Sequence, residues 1–371
     1  MSISSVIRAE NLLRRIEEKL PASVAQAQEM DFIPYTVRNG RWAPGPYDGI
    51  CWWTNGFWPG EMWLLYTLTG NDLYLKEARR SQRMLHDAFR DFEHLHHDTG
   101  FMWRISTGFD FDLTGNPDAR RDTELAGLLL AARYNPNGFI RAWNEDRAGW
   151  AIIDCMMNLS LLYWMSERTG DPRFRLMAVR HADTVLNAFL RKDGTCCHIV
   201  IFDPETGRIL DRPAGQGYSP GSVWSRGQGW GIYGFAISYA HTGDSRYLDA
   251  SRRIADAFLR LISDDFLPNC DFSQPKDVFL KDTCAGCVAA CGLLELANHL
   301  PEEEASGYRE GAEKLLFAAS ECIRWDKDYP ALLTNCTGSY HGNDHHIAMN
   351  YADFFLIEGL ARLLDRHKLK W

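Results

Sequence analysis

Along the chain, stretches that are apolar on nearly every side alternate with stretches that are apolar on one face only. Phe57 to Leu68, Ala151 to Arg168 and Gly229 to His241 are of the first kind; Leu73 to Arg90, Arg173 to Leu190 and Tyr247 to Ile262 are of the second. A helix apolar all round must be enclosed by protein, whereas a one-faced helix lies over the core with its polar side in water. Between the two kinds stands a recurrent tripeptide: Thr69-Gly70-Asn71, Thr114-Gly115-Asn116, Thr169-Gly170-Asp171 and Thr242-Gly243-Asp244. The glycine closes one helix in the left-handed conformation. The Asn or Asp behind it caps the next helix by accepting from its free N–H groups. Each copy therefore predicts a helical hairpin, and the repetition predicts an array of them. The copy at Thr114 follows a shorter apolar stretch, Phe101 to Leu113.

Two further pairs lack the tripeptide. Asp282 to His299 is apolar and is followed by an amphipathic stretch from Tyr308 to Ile323; Met349 to Leu364 is a last enclosed helix, and residues 5–29 supply a first outer one. The pattern predicts six enclosed helices, beginning near residues 55, 99, 151, 226, 282 and 349, and six outer ones, beginning near 5, 72, 117, 172, 245 and 306. Alternating in this order, they describe a closed double ring. No low-complexity linker interrupts it, so residues 1–371 read as one domain. Cys196 to Phe202 with the turn Asp203-Pro-Glu-Thr-Gly207 predicts a β-hairpin set between helices, an excursion suited to the rim of a pocket.

Composition narrows the function. The net charge of −9 argues against nucleic acid as a partner, because phosphate binding needs clustered Lys and Arg. No apolar run is long enough to span a bilayer, so no membrane partner is expected. The first residues lack the apolar core of a secretory signal. Ten cysteines without such a signal point to free thiols in a reducing cytoplasm. Aromatics are abundant, with 13 Trp, 14 Tyr and 19 Phe; they either fill a large core or line a pocket that stacks on flat ligand faces.

Connections from outer to enclosed helices all fall at one end of the ring, so the polar residues that open the enclosed helices converge there. Asp154 stands out, in Ala-Ile-Ile-Asp-Cys-Met-Met-Asn-Leu. A carboxylate among apolar neighbours is costly to bury without a partner. Desolvation raises its pKa toward the range of a proton donor at neutral pH; the alternative is a carboxylate satisfied by the helix dipole. Asp98, in His96-His97-Asp98-Thr99-Gly100, is a weaker candidate, since Asp there also serves as a cap. A metal on His96, His97 and Asp98 is not expected, because adjacent residues do not easily reach one ion. Arg226 lies among glycines in Trp224-Ser-Arg-Gly-Gln-Gly-Trp230 and offers a fork matched to a carboxylate, either on a ligand or on a neighbouring Asp. Cys284, Cys287 and Cys291 share a helix face and read as small apolar packing residues. His341, His345 and His346 read as loop.

These segments resemble glycoside hydrolase family 88, the unsaturated glucuronyl hydrolases. The resemblance is carried by Trp53-Thr-Asn-Gly-Phe-Trp58, His96-His-Asp-Thr-Gly-Phe101, Ile152-Ile-Asp-Cys-Met-Met-Asn158, Trp224-Ser-Arg-Gly-Gln-Gly-Trp-Gly-Ile-Tyr-Gly234 and Ala290-Cys-Gly-Leu-Leu-Glu295, in order along nearly the whole chain. It implies an all-α (α/α)6 barrel of the six-hairpin glycosidase type, with short β excursions at the rim and neither metal nor cofactor. The implied substrate is a di- or oligosaccharide from a polysaccharide lyase, ending in a 4,5-unsaturated uronate. Asp154 matches the family's general acid/base and Asp98 its second essential acid. His198, Gln216, Ser222, Arg226 and Trp230 match substrate-site positions, and Trp53, Phe101 and Trp143 match aromatic walls. The implied reaction protonates C4 of a vinyl ether, adds water at C5, and loses the glycosidic link when the hemiketal opens. The loop before the last enclosed helix, Thr337 to Ala348, bears on substrate choice in the family. Here it holds no Lys or Arg, leaving only His345 or His346 as a basic contact for a sulfate. Competing expectations are an unsaturated rhamnogalacturonyl hydrolase, a sugar 2-epimerase on the same barrel, and a sugar-binding protein without catalysis. A monomer or small homo-oligomer is expected.

Overall fold

A computed structural model describes residues 3–46 and 49–371 of the protein. Its helices are α1 (Ile3–Gln28), α2 (Phe57–Thr69), α3 (Asp72–His86), α4 (Thr107–Thr114), α5 (Pro117–Ala131), α6 (Cys155–Thr169), α7 (Pro172–Ala188), α8 (Ser225–Thr242), α9 (Ser245–Leu261), α10 (Thr283–Ala297), α11 (Glu302–Ser320) and α12 (Asn350–Leu363). The inner ring runs α2, α4 with the π-helical turn Gly100–Arg104 before it, α6, α8, α10 and α12, and closes where α12 packs on α2. Each inner helix has an outer neighbour, α3, α5, α7, α9, α11 and α1 in the same order. This is the (α/α)6 barrel. Apart from its last four residues, every residue of α8 is buried, and of α10 every residue but Glu295. Helices α3 and α9 bury one stripe each, as the two kinds of apolar pattern require.

The repeated tripeptide builds its hairpins with one geometry. Gly70, Gly115, Gly170 and Gly243 end inner helices at φ values of 68°, 71°, 71° and 70°, a left-handed backbone that only glycine adopts without strain. Asn71, Asn116, Asp171 and Asp244 then accept from Leu73, Asp118, Arg173 and Arg246 N–H. The threonine has a part too. In three copies its Oγ1 donates back to a carbonyl four residues earlier and accepts the N–H of the cap residue.

Two elements depart from the expected plan. The second inner helix is broken: the π turn ends at Arg104 and α4 starts at Thr107, an interruption of a kind that favours functional sites. The third inner helix starts at Cys155, because residues 150–152 are extended. The strands are β1 (Thr36–Arg38), β2 (Arg41–Ala43), β3 (Tyr134–Asn135), β4 (Phe139–Ile140), β5 (Trp150–Ile152), β6 (Ile199–Phe202) and β7 (Ile209–Asp211). The expected hairpin is β6–β7, and β5 joins it as a third antiparallel strand. Three apolar residues continuous with an apolar helix carry no periodicity of their own. All ten cysteines are free thiols. Among the described residues, no helix is long and apolar enough to cross a membrane.

Candidate active site

Strand β5 brings the two ends of the site together. It pairs with β6 so that Ile152 faces Ile199, and Ile153 N–H donates to the His198 carbonyl at 3.0 Å. His198 thereby comes beside Asp154, with Nε2 3.6 Å from Oδ2. Asp154 occupies the N-cap position of α6, yet its side chain accepts no capping hydrogen bond from the helix. The carboxyl is left facing a cavity. Burial raises its pKa to about 7, against the opposing pull of the Arg226 charge and of nearby N–H groups, the Trp230 indole among them. Such a group both gives and takes protons at neutral pH.

Asp98 faces the same cavity. Asn158, one turn into α6, donates to its Oδ1 at 3.0 Å. His97 Nε2 lies 3.2 Å from Oδ1 and His96 Nδ1 3.3 Å from Oδ2. Burial, and then the Asp154 charge, push the Asp98 pKa well up. Burial holds both imidazoles neutral, His96 down to about 3. Although adjacent in sequence, the three side chains converge. The rings stack at 5.2 Å and present different nitrogens, so the ligand atoms of all three residues fall within 4.8 Å of one another.

The cavity has a volume of about 1060 Å³. Of the expected residues, Asp98, Asp154, His198, Gln216, Trp53 and Trp143 line it. Gln216 N–H donates to His198 Nδ1 at 2.9 Å, which puts the proton of the neutral ring on Nε2, toward Asp154. Gly215 makes this possible. Its φ is +61°, and a Cβ there would come within 2.0 Å of the His198 ring. Lining residues that the sequence did not single out are Trp52, Glu93, His94, Asn144, Glu145, Arg147, Trp150, Ile152 and Ile199. Four of them, Trp52, Asn144, Glu145 and Arg147, lie in loops, which carry no periodic signal.

Four expected site residues, Phe101, Ser222, Arg226 and Trp230, do not line the cavity itself. Phe101 is fully buried beneath Trp53 at 5.8 Å, with the Trp230 ring 5.1 Å away. Phe101 supports the wall from behind, while the Trp230 indole N–H stands beside the Asp154 carboxyl. Ser222 Oγ donates to Asp271 Oδ2 at 2.7 Å and holds the loop that precedes α8. Arg226, 2% exposed, has its guanidinium on Asp282 Oδ2 at 2.5 Å and on the Thr337 and Gly338 carbonyls. The geometry is that of the neighbouring-Asp alternative: Arg226 ties the loop before α12 to the barrel. A charge buried that deeply needs such partners.

The other polar rim residues are also engaged structurally. Asp353 accepts the Leu332 and Leu333 N–H groups, each at 2.8 Å. Asn350 donates to the Pro34 and Thr54 carbonyls. His345 bonds within its own loop, to Ser339 O, and His346 to Asn335 Oδ1 just before it. Cys291 donates to Phe355 O, and Cys284 and Cys287 are fully buried.

Residues 15–242 match Glycosyl Hydrolase Family 88. Over 326 residues the chain is 34% identical to the unsaturated glucuronyl hydrolase of Bacillus sp. (strain GL1), covering 84% of this chain and 86% of that protein. It is 31% identical over 331 residues to the unsaturated chondroitin disaccharide hydrolase of Streptococcus pneumoniae (strain ATCC BAA-255 / R6), covering 86% and 83% respectively. The crystal structure of an unsaturated glucuronyl hydrolase from Streptococcus agalactiae superposes with a TM-score of 0.91 at 28% identity, over 99% of this chain and 94% of that one.

Proposed function

Because the chain belongs to glycoside hydrolase family 88, we propose that it removes the 4,5-unsaturated glucuronate from the non-reducing end of lyase-produced oligosaccharides, with glycosaminoglycan fragments as the preferred source. The observation that carries this reading is Asp154: a buried N-cap carboxyl that caps nothing, has a pKa near 7 and faces a cavity beside a second acid.

The chemistry follows from one acid that works twice. Protonated Asp154 delivers its proton to C4 of the vinyl ether, and positive charge develops at C5 and the ring oxygen. The carboxylate left behind stabilises that charge. It then takes a proton from a water attacking C5, which restores the acid. The resulting hemiketal opens to a ketone, and the hemiacetal so exposed at C1 releases the next sugar as an alcohol. One water is consumed and no cofactor is required. This differs from direct glycoside hydrolysis, in which two carboxylates flank the bond that breaks. Asp98 stays protonated beside Asp154 and orients the sugar hydroxyls. Trp53 and Trp143 give flat apolar faces for the ring. The His198 Nε2–H and the Gln216 side chain bind its polar edge, while Phe101, Trp230, Ser222 and Arg226 fix the walls.

The test is to mix the protein with unsaturated chondroitin, hyaluronan and heparin disaccharides and follow loss of the ultraviolet band of the conjugated enuronate. Wild type should bleach the band, and Asp154→Asn should be slower by roughly 10²–10⁴-fold, the usual weight of a general acid. No loss on any of these, with pectin-derived and algal fragments also inert, would sink the reading in favour of an epimerase or a binding protein.

A further inference from the structure

With Arg226 paired to Asp282, a different arginine faces the cavity. Arg147 lies in the loop between Trp143 and β5 and lines the mouth. Its guanidinium carbon stands 5.4 Å from the Trp143 ring centre and 5.2 Å from that of Trp150. The two rings meet edge to face at 5.9 Å. Rings attract the cation across its flat side and leave the in-plane N–H groups at its edge, the part that matches an oxyanion fork to fork. Among the described residues Arg147 makes no ion pair, although Glu93 and Glu145 share the mouth. Among the described residues no other Lys or Arg lines the cavity.

Strand geometry gives its place along a bound chain. Trp150 and Ile152 point to the same face of β5, both line the cavity, and Asp154 follows next. At about 3.3 Å per residue, Trp150 lies on the order of 10 Å outward from Asp154. That is beyond the reacting ring and beside the sugar attached to it. The loop that could otherwise supply a basic contact lacks Lys and Arg, and its His341, His345 and His346 are hydrogen-bonded to Tyr218 O, Ser339 O and Asn335 Oδ1.

We propose that Arg147, held between Trp143 and Trp150, is an anion subsite that receives a sulfate ester on the sugar released from the unsaturated uronate. The identity of that sugar rests on the hydrolase reading; the anion site itself rests on the clamped, unpaired guanidinium. It predicts that the protein prefers sulfated to unsulfated unsaturated disaccharides, although the remainder of its cavity is acidic.

Two measurements test this. The first compares kcat/KM on unsulfated, 4-sulfated and 6-sulfated unsaturated chondroitin disaccharides for wild type, Arg147→Ala and Arg147→Lys. Wild type should favour a sulfated form. The ratio of sulfated to unsulfated should fall roughly tenfold in Arg147→Ala, the scale of one solvent-accessible charge-assisted contact, and recover in part with Lys. The second titrates the same disaccharides calorimetrically into Asp154→Asn with and without Arg147→Ala, which reads binding without turnover. Ratios unchanged by Arg147→Ala, or equal binding of sulfated and unsulfated forms, would overturn the proposal. Tighter sulfated binding that depends on Arg147, with no turnover by wild type, would overturn the hydrolase reading and leave the anion site standing.

Discussion

At the scale of single residues, the site turns on where two protons sit. The Ala142 carbonyl can only accept, so His97 Nδ1, 2.9 Å away, must donate to it. The neutral ring then points a bare Nε2 at Asp98 Oδ1. Two acceptors face one another unless Asp98 is protonated, which is the state its burial already favours. Asp154 thus works beside a neutral partner, and its own pKa of about 7 sets the alkaline limit. The form that protonates C4 is the acid, so kcat/KM should fall as pH rises through about 7. Replacing His97 by Gln puts an amide N–H where the lone pair was. Asp98 then ionises, and its charge disfavours the Asp154 anion. The alkaline limb should therefore move to higher pH in His97→Gln even as the overall rate drops. A pH profile of kcat/KM from 5 to 9 decides this; a limb that stays in place sinks the proton assignment.

At the scale of elements, the helical hairpins were legible because their signals are local. A Thr-Gly-Asn/Asp tripeptide specifies the end of one helix and the start of the next within three residues, and the structure uses all three. The Asp244 carboxylate accepts from Arg246 N–H at 3.0 Å and is otherwise remote from the cavity. Asp244→Ala should cost about 1 kcal/mol and lower Tm by a few degrees with kcat unaltered; calorimetry and the bleaching assay check the two halves. What the sequence concealed is long-range. Strand β5 exists because β6, some fifty positions later, is there to pair with it. Asp154 was visible as a charge in the wrong surroundings and Asp98 through the family resemblance, but the partner of Arg226 was not, since Asp282 lies 56 residues further on. Arg147 escaped notice because it sits in a polar loop, where one more cation is unremarked until the two indoles around it are seen. Phe101 stands behind Trp53 rather than on the cavity surface, a depth that residue type alone cannot specify.

At the scale of the whole molecule, the ring closes where α12 meets α2, and that junction encloses acid. Glu61 of α2 is 1% exposed, and among the described residues neither of its carboxyl oxygens has a hydrogen-bond partner. Burial raises its pKa well above the usual value, and the charge of Asp353 on α12 raises it further. Asp353 differs in that two backbone N–H groups hold it and Lys19 is close. The consequence for stability has a definite sign. A carboxyl whose folded pKa lies above its unfolded one binds more protons when folded, so stability falls as pH rises from about 4.5 through the folded value. The barrel should therefore loosen between pH 5 and pH 8 through this group. Glu61→Gln keeps the shape and removes the titration. The variant should lose less Tm over that interval than wild type, by the few degrees that correspond to about 1–3 kcal/mol for a buried unsatisfied group. Comparing the change with pH, rather than the absolute Tm, separates titration from any packing defect. The same pH-dependent loss in both proteins would show that Glu61 is not the group responsible, and would shift attention to Asp353, whose pKa of about 7 falls in the same window.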